Sequence, residues 1–272
     1  MKPLAADVNE SERFPMETVQ KMAKLGIMGI PFPVEYGGAG GNNILYTMAV
    51  EELSRVCATT GVIVSAHTSL CCAPIMEHGT PEQKAKYLPK LASGEWIGAF
   101  GLTEPNAGTD ASAQQTFAVK EGDHYVLNGS KIFITNAGYA HVYIIMAMTD
   151  KSKGTKGISA FIVEKDFPGF SIGKKEKKMG IRGSATADLI FDNCIVPKEN
   201  LIGREGDGFK MIMQTLDVGR LGVGAIGLGI AEGALEETLK YVSQRRQFGK
   251  TIGSFQNTQF EMAQMRAQTE AA

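Results

Sequence analysis

The sequence holds one tryptophan, four cysteines and four histidines among 272 residues, and its charges nearly cancel. Each shortage removes a class of function. A formal net charge of -1 gives no bulk field for nucleic acid or for a membrane surface, so neither is expected as a partner. The local run Lys174-Lys-Glu-Lys-Lys178 reads as a solvated strand edge or turn. Cys57, Cys71, Cys72 and Cys194 have neither zinc spacing nor a disulfide framework, so reduced thiols in a cytosolic-type compartment fit them. His67 and His78 have no partners at metal-ligand spacing; both read as structural, and no metal is expected. Leu221 to Ala231 is apolar but too short to span a bilayer, and no secretory signal is visible.

Glycine strings suggest further classes, and their context withdraws each. Gly222-Val-Gly224-Ala-Ile-Gly227 spells a dinucleotide fingerprint. That motif needs a preceding strand and a βαβ unit, whereas the residues on both sides here have helical spacing. Ala225, Gly229 and Gly233 lie four apart, which on one helix face permits close helix packing. Gly249-Lys250-Thr251 lacks the glycine that a P-loop needs five positions earlier; Gln244 stands there. Gly37 to Gly41 is a loop with no Lys-Ser/Thr after it, and no G-x-S-x-G elbow occurs.

What is present is a change of period along the chain. Phe14, Val19, Met22 and Leu25 are spaced for one helix face, with Gly26 as the stop. Asn42 or Asn43 can cap a helix through Ala58, and Thr60 another reaching His78. Thr80-Pro81-Glu82-Gln83 is a helix start. From Ile97 the pattern turns to strands: Phe117 to Lys120, a turn, His124 to Leu127, a second turn at Asn128-Gly129, then Val142–Met148, Ile158–Val163 and Asp188–Asp192. After Gly206 the helical period returns, with Phe209, Ile212, Met213 and Leu216 on one buried face, to about Gln244; a second helix starts near Phe255. The expected class is α+β: a helical domain over 1–96, an antiparallel β-barrel domain over 97–204, and the start of a helical bundle over 205–272.

Two strand ends carry the chemistry. Ile97–Leu102 runs into Thr103-Glu-Pro-Asn-Ala-Gly-Thr-Asp110, a shaped loop with hydroxyls, carboxylates and free backbone donors. Lys131-Ile-Phe-Ile-Thr-Asn-Ala137 repeats the layout. Such donors can hold a polar ring edge or a phosphate without a metal; a single loop of this kind is more often a plain surface turn.

Together with Met179–Ala185, Phe191–Pro197 and Arg245-Arg-Gln-Phe-Gly249, these segments resemble the acyl-CoA dehydrogenase family, most closely its short-chain, butyryl-CoA branch, along essentially the whole chain. The resemblance implies FAD, with Phe100, Leu102, Thr103 and Thr109 wrapping the flavin. It puts Phe133, Ile134 and Thr135 on a second flavin segment, with Phe133 where many relatives have tryptophan. By the same resemblance Arg245 and Phe248 reach FAD on a neighbouring subunit, Gln256 is a further cofactor contact, and Thr109, Asp217 and Arg220 touch acyl-CoA. The implied reaction removes an α proton and a β hydride from the acyl thioester, with electrons passed to an electron-transferring flavoprotein by a homotetramer. An acyl-CoA oxidase, or an inactive remnant that binds FAD or acyl-CoA, are the alternatives. No catalytic base is identified: relatives carry a glutamate either just before the arginine matching Arg220, where this chain has Gly219, or far downstream, so the base is expected beyond Ala272. The chain reads as truncated at both ends, its first helix missing, and as cytoplasmic, or mitochondrial if a targeting segment precedes it.

Overall fold

The computed structural model describes residues 2–272; Met1, at the head of the first domain, lies outside them. Six α-helices lead: α1 (Lys2–Glu10), α2 (Met16–Lys24), α3 (Asn43–Val56), α4 (Ala58–Ser65), α5 (Ala73–His78) and α6 (Pro81–Ala92). Between α4 and α5 the chain winds as a π-helix over Ala66–Cys72. Local chemistry sets the ends. Asn42 accepts the Leu45 N–H at 3.0 Å, and Thr80 and Gln83 form a reciprocal capping box. Gly26, at φ 73°, takes the left-handed turn that ends α2. Two expectations fail here. Leu25 is 75 % exposed, because the helix stops at Lys24 and turns its last apolar side chain outward. Thr60 is not a cap: α4 starts two residues earlier at Ala58, and the Thr60 hydroxyl bonds back to the Cys57 carbonyl.

Eight strands form one sheet: β1 (Gly98–Gly101), β2 (Phe117–Glu121), β3 (His124–Thr135), β4 (Val142–Met148), β5 (Ile158–Glu164), β6 (Phe170–Lys175), β7 (Thr186–Pro197) and β8 (Leu201–Ile202). The order is β6-β7-β3-β2-β4-β5-β8, with β1 on β4. The expected antiparallel barrel is corrected on both counts. The sheet is open, ending at β6 and β8, and it is mixed, since β1 and β2 both run parallel to β4. Hairpin spacing reports only neighbours in sequence, and β1 meets β4 across some forty residues. β4 is buried at all seven positions, so its partners are chosen by packing against the helices. Asn128-Gly129 is likewise no turn. β3 runs through it, and the register against β7 shifts between Leu127 and Gly129. Gly129, at φ 139°, touches Thr116 where a Cβ would stand, and Asn128 accepts the Asn193 N–H at 2.8 Å. A turn-forming pair here serves a β-bulge.

α7 (Gly208–Gln244) crosses the helical layer, followed by a two-stranded ribbon, β9 (Arg246–Gln247) with β10 (Lys250–Thr251), and α8 (Gln256–Ala271). The expected buried face at its start is only partial: Ile212 is buried, but Met213 is 38 % exposed. The small residues do bring α7 close to α3. A Cβ at Gly229 would strike the Glu51 carbonyl, and one at Gly233 the Arg55 carbonyl. Two helical spans, Ala58–His78 and Gly208–Gln244, are long and apolar enough to cross a membrane by length and composition; the first is 78 % buried inside the molecule. The four cysteines are free, with Cys71, Cys72 and Cys194 buried.

Candidate flavin site

A cavity of about 210 Å³ opens where the sheet meets the helices. Its walls come from four places: Ala66 and Leu70 on the π-helix, Phe100, Leu102 and Thr103 at the end of β1, Phe133, Ile134 and Thr135 at the end of β3, and Leu216 on α7. The two strand ends are tied directly, since the Ile132 N–H donates to the Thr103 carbonyl at 2.9 Å. The β3–β7 register shifts again between Lys131 and Ile134. That shift frees Phe133, which takes a left-handed φ of 61° and is 59 % exposed at the cavity wall. The wall holds hydroxyls but no charged or titratable side chain.

Behind this wall lies a buried ion pair. Lys131 Nζ donates to Glu104 Oε1 at 2.6 Å, to Gln114 Oε1 at 2.9 Å and to the Leu102 carbonyl at 3.2 Å. Glu104 also accepts the N–H groups of Gln115 and Thr116. Burial pulls the Lys131 ammonium down to about 8 against the attraction of Glu104. Burial opposes ionisation of Glu104 too, but Lys131 and the two amides outweigh it, and the carboxyl is held below its usual range. The pair fixes the first turn of the Thr103–Asp110 loop to β3. In sequence Glu104 is only one of the loop's two carboxylates; the structure turns it inward, and Asp110 is occupied by Ser112. The signal that could have found the pair is Lys131 itself, a charge directly ahead of the apolar run Ile132-Phe-Ile134.

A second polar knot flanks the cavity. Asn136 Nδ2 donates to the carbonyls of Gly98 and Ile63 at 3.1 and 3.2 Å. The Gly98 N–H donates to His67 Nδ1 at 2.9 Å, and His67 Nε2 donates to the Leu91 carbonyl. His67 is structural, as its lack of ligand partners implied; burial pulls its imidazole down to about 4.

Of the residues expected at the cofactor, the structure therefore brings six to one cavity: Phe100, Leu102, Thr103, Phe133, Ile134 and Thr135. Thr109 stands exposed on the loop outside that lining. Arg245, Phe248 and Gln256 are exposed on the ribbon and the start of α8, and Phe248 is 91 % exposed. Asp217 and Arg220 pair with each other at 3.0 Å on the outside of α7. Gly219 faces inward: a Cβ there would lie 3.0 Å from Leu70 Cδ2. Among the described residues no cluster of metal-ligating groups occurs.

Mixed sheet, helical layers and a strand-end cavity with hydroxyl donors define a cofactor-binding enzyme scaffold. Three family models match it in order: the acyl-CoA dehydrogenase N-terminal domain over residues 1–95, its middle domain over 99–194 and its C-terminal domain over 206–272. The short-chain specific acyl-CoA dehydrogenase of Clostridium acetobutylicum is 63 % identical over all of this chain, which spans 72 % of that relative. The solved butyryl-CoA dehydrogenase of Megasphaera elsdenii superposes with a TM-score of 0.97 at 51 % identity, covering 99 % of this chain and 72 % of that one. A chain in the structure of the electron-transferring flavoprotein of Acidaminococcus fermentans, studied for flavin-based electron bifurcation, superposes at 0.99 with 56 % identity, covering 100 % of this chain and 71 % of that one. The chain belongs to the acyl-CoA dehydrogenase family.

Proposed function

We propose that the protein serves FAD-dependent α,β-dehydrogenation of a short-chain acyl-CoA to the trans-2-enoyl-CoA, passing electrons to an electron-transferring flavoprotein. The observation that carries this reading is the strand-end cavity. The Thr103 and Thr135 hydroxyls lie at its wall and neither has a protein hydrogen-bond partner among the described residues, so donors stand ready for the polar edge of a flavin ring. When bound, FAD supplies the hydride acceptor. The chain's own residues orient and shield: Phe133 covers one side of the cavity, and Ala66, Leu70 and Leu216 give an apolar wall that excludes water from a short acyl chain. Thr109, Asp217 and Arg220 are the surface contacts assigned to the CoA portion. Arg245, with Phe248, reaches an FAD held by a neighbouring copy, where a forked guanidinium suits a pyrophosphate, and Gln256 adds a further cofactor contact.

The α proton needs a carboxylate base, and none lines the cavity. Gly219, inward-facing beside Leu70, has no side chain to supply one. Asp217, two residues away on the helix, is 71 % exposed and engaged by Arg220. We keep the base outside residues 1–272 in this reading. A positioned base contributes about 10²–10⁴-fold. The experiment titrates the protein with FAD and then with butyryl-CoA under anaerobic conditions. Expected are a flavin spectrum perturbed on binding and further perturbed by butyryl-CoA, with little bleaching. Failure to bind FAD at all would overturn the function. Bleaching at the rate of the relatives would overturn the placement of the base, with Asp217 the first residue to replace.

A further inference from the structure

We propose that Asn136 is a positioning residue for the flavin site: with His67 it clamps Gly98, and so sets the spacing between the Thr103 and Thr135 hydroxyls. The inference rests on reading the cavity as a flavin site. Asn136 directly follows Thr135 and is fully buried. Its backbone has a left-handed φ of 67°, which asparagine tolerates far better than most residues. Its N–H donates to the Ala185 carbonyl at 2.9 Å, and its carbonyl accepts the N–H groups of Tyr139 and Ala140. The side-chain amide then reaches Gly98 and Ile63.

Gly98 begins β1, the strand that delivers Phe100, Leu102 and Thr103. Its carbonyl is held by Asn136 and its N–H by His67, so the two peptides that flank its Cα are each held by a buried side chain. A Cβ at Gly98 would strike Cys71 Sγ, so only glycine lets the strand come this close to the helix that carries His67. Three of the four wall segments meet at this knot: β1, the end of β3, and the helical span whose π-turn presents Ala66 and Leu70. Stability alone does not account for the residue chosen. Asn136 Oδ1 is buried with no partner among the described residues, and an unmet buried acceptor is a cost. What the amide gives in return is two donors from one buried point at the junction of strand and helix.

The test compares two variants of the protein of residues 1–272. Asn136→Gly keeps the left-handed backbone and deletes the amide. Asn200→Ala also removes a buried amide that makes two bonds, to the Tyr87 hydroxyl and the Ile162 carbonyl, but these lie outside the cavity wall. Both should lower Tm. Only Asn136→Gly should weaken FAD binding, by about tenfold, and alter the visible flavin band. Wild-type affinity and spectrum in Asn136→Gly, or equal losses in Asn200→Ala, would overturn the clamp while leaving the flavin reading intact. No FAD binding by the unaltered protein would overturn the flavin reading itself. Should Asn136→Gly not fold, amide exchange on the unaltered, FAD-free protein decides. The Gly98 and Asn136 N–H groups should be among the slowest to exchange, and fast exchange there refutes the clamp.

Discussion

Thr135 shows how little one side chain must do when the backbone has already placed it. Its hydroxyl sits at the cavity wall without a protein partner among the described residues, so Thr135→Val removes a donor and leaves the packing volume nearly unchanged. A neutral hydrogen bond contributes about 0.5–1.5 kcal/mol net. Thr135→Val should therefore shift the flavin spectrum and weaken FAD by about tenfold or less, with the far-ultraviolet circular dichroism unchanged. An unshifted spectrum counts against the role. His67 works in the opposite sense, as a group held neutral. Its folded pKa lies near 4 against 6.5 for the free group, so the unfolded chain binds the extra proton first as pH falls. Its contribution is fully present above about pH 6.5 and is lost progressively toward pH 4, in all about 3 kcal/mol. The acid-side fall in stability should be shallower in His67→Gln than in the unaltered protein, measured by denaturant unfolding between those pH values. Parallel pH profiles would show that His67 does not titrate this way.

At the scale of elements, close approach does most of the placing. α7 reaches α3 only because Gly229 and Gly233 have no side chains; the would-be Cβ of Gly229 falls on the Glu51 carbonyl. A backbone atom cannot move aside as a flexible side chain can. Gly229→Ala should gain helix propensity locally, worth about 1 kcal/mol. The forced separation of two packed helices outweighs it, for a net loss of about 1–3 kcal/mol. Thermal unfolding decides the sign, and a raised Tm would mean that the α3–α7 contact yields. Leu216, on the same helix, lines the cavity, so a shift of α7 should lower FAD affinity together with stability. The π-turn is the other element-scale device. It carries Ala66 and Leu70 to the cavity within a helical span that is otherwise regular on both sides.

For the whole molecule, the main feature is an apolar face without cover. α7 and α8, with Thr47 and Glu51 of α3, line an open groove of about 1090 Å³. Leu221, Val223 and Phe260 on these helices are each more than half exposed, and α8 has no buried residue. A contiguous exposed apolar surface favours association. The protein should sediment as concentration-dependent assemblies, with the effect reduced by replacing Val223 and Phe260 with glutamate. A monomer at all concentrations would show that the face is satisfied in solution. Arg245 and Phe248 lie exposed beyond the end of α7, so association would also place the groups that we assign to a neighbouring copy's FAD.

Much of this was legible in the sequence, because it depends on neighbours along the chain. The caps at Asn42 and Thr80, the stop at Gly26, the β2–β3 hairpin, the length of α7 and the two strand-end motifs all follow from local hydrogen bonding and side-chain period. The rejection of the glycine string at Gly222–Gly227 as a phosphate cradle holds for the same reason: it lies within α7. Tertiary structure decided the rest. The parallel pairing of β1 with β4, the open sheet, and the bulge at Asn128-Gly129 depend on partners far away in sequence, which no local period reports. The inward turn of Glu104 toward Lys131 and the grip of Asn136 and His67 on Gly98 are of this kind too. A polar side chain looks the same in sequence whether it meets water or a buried partner, and only packing removes the water.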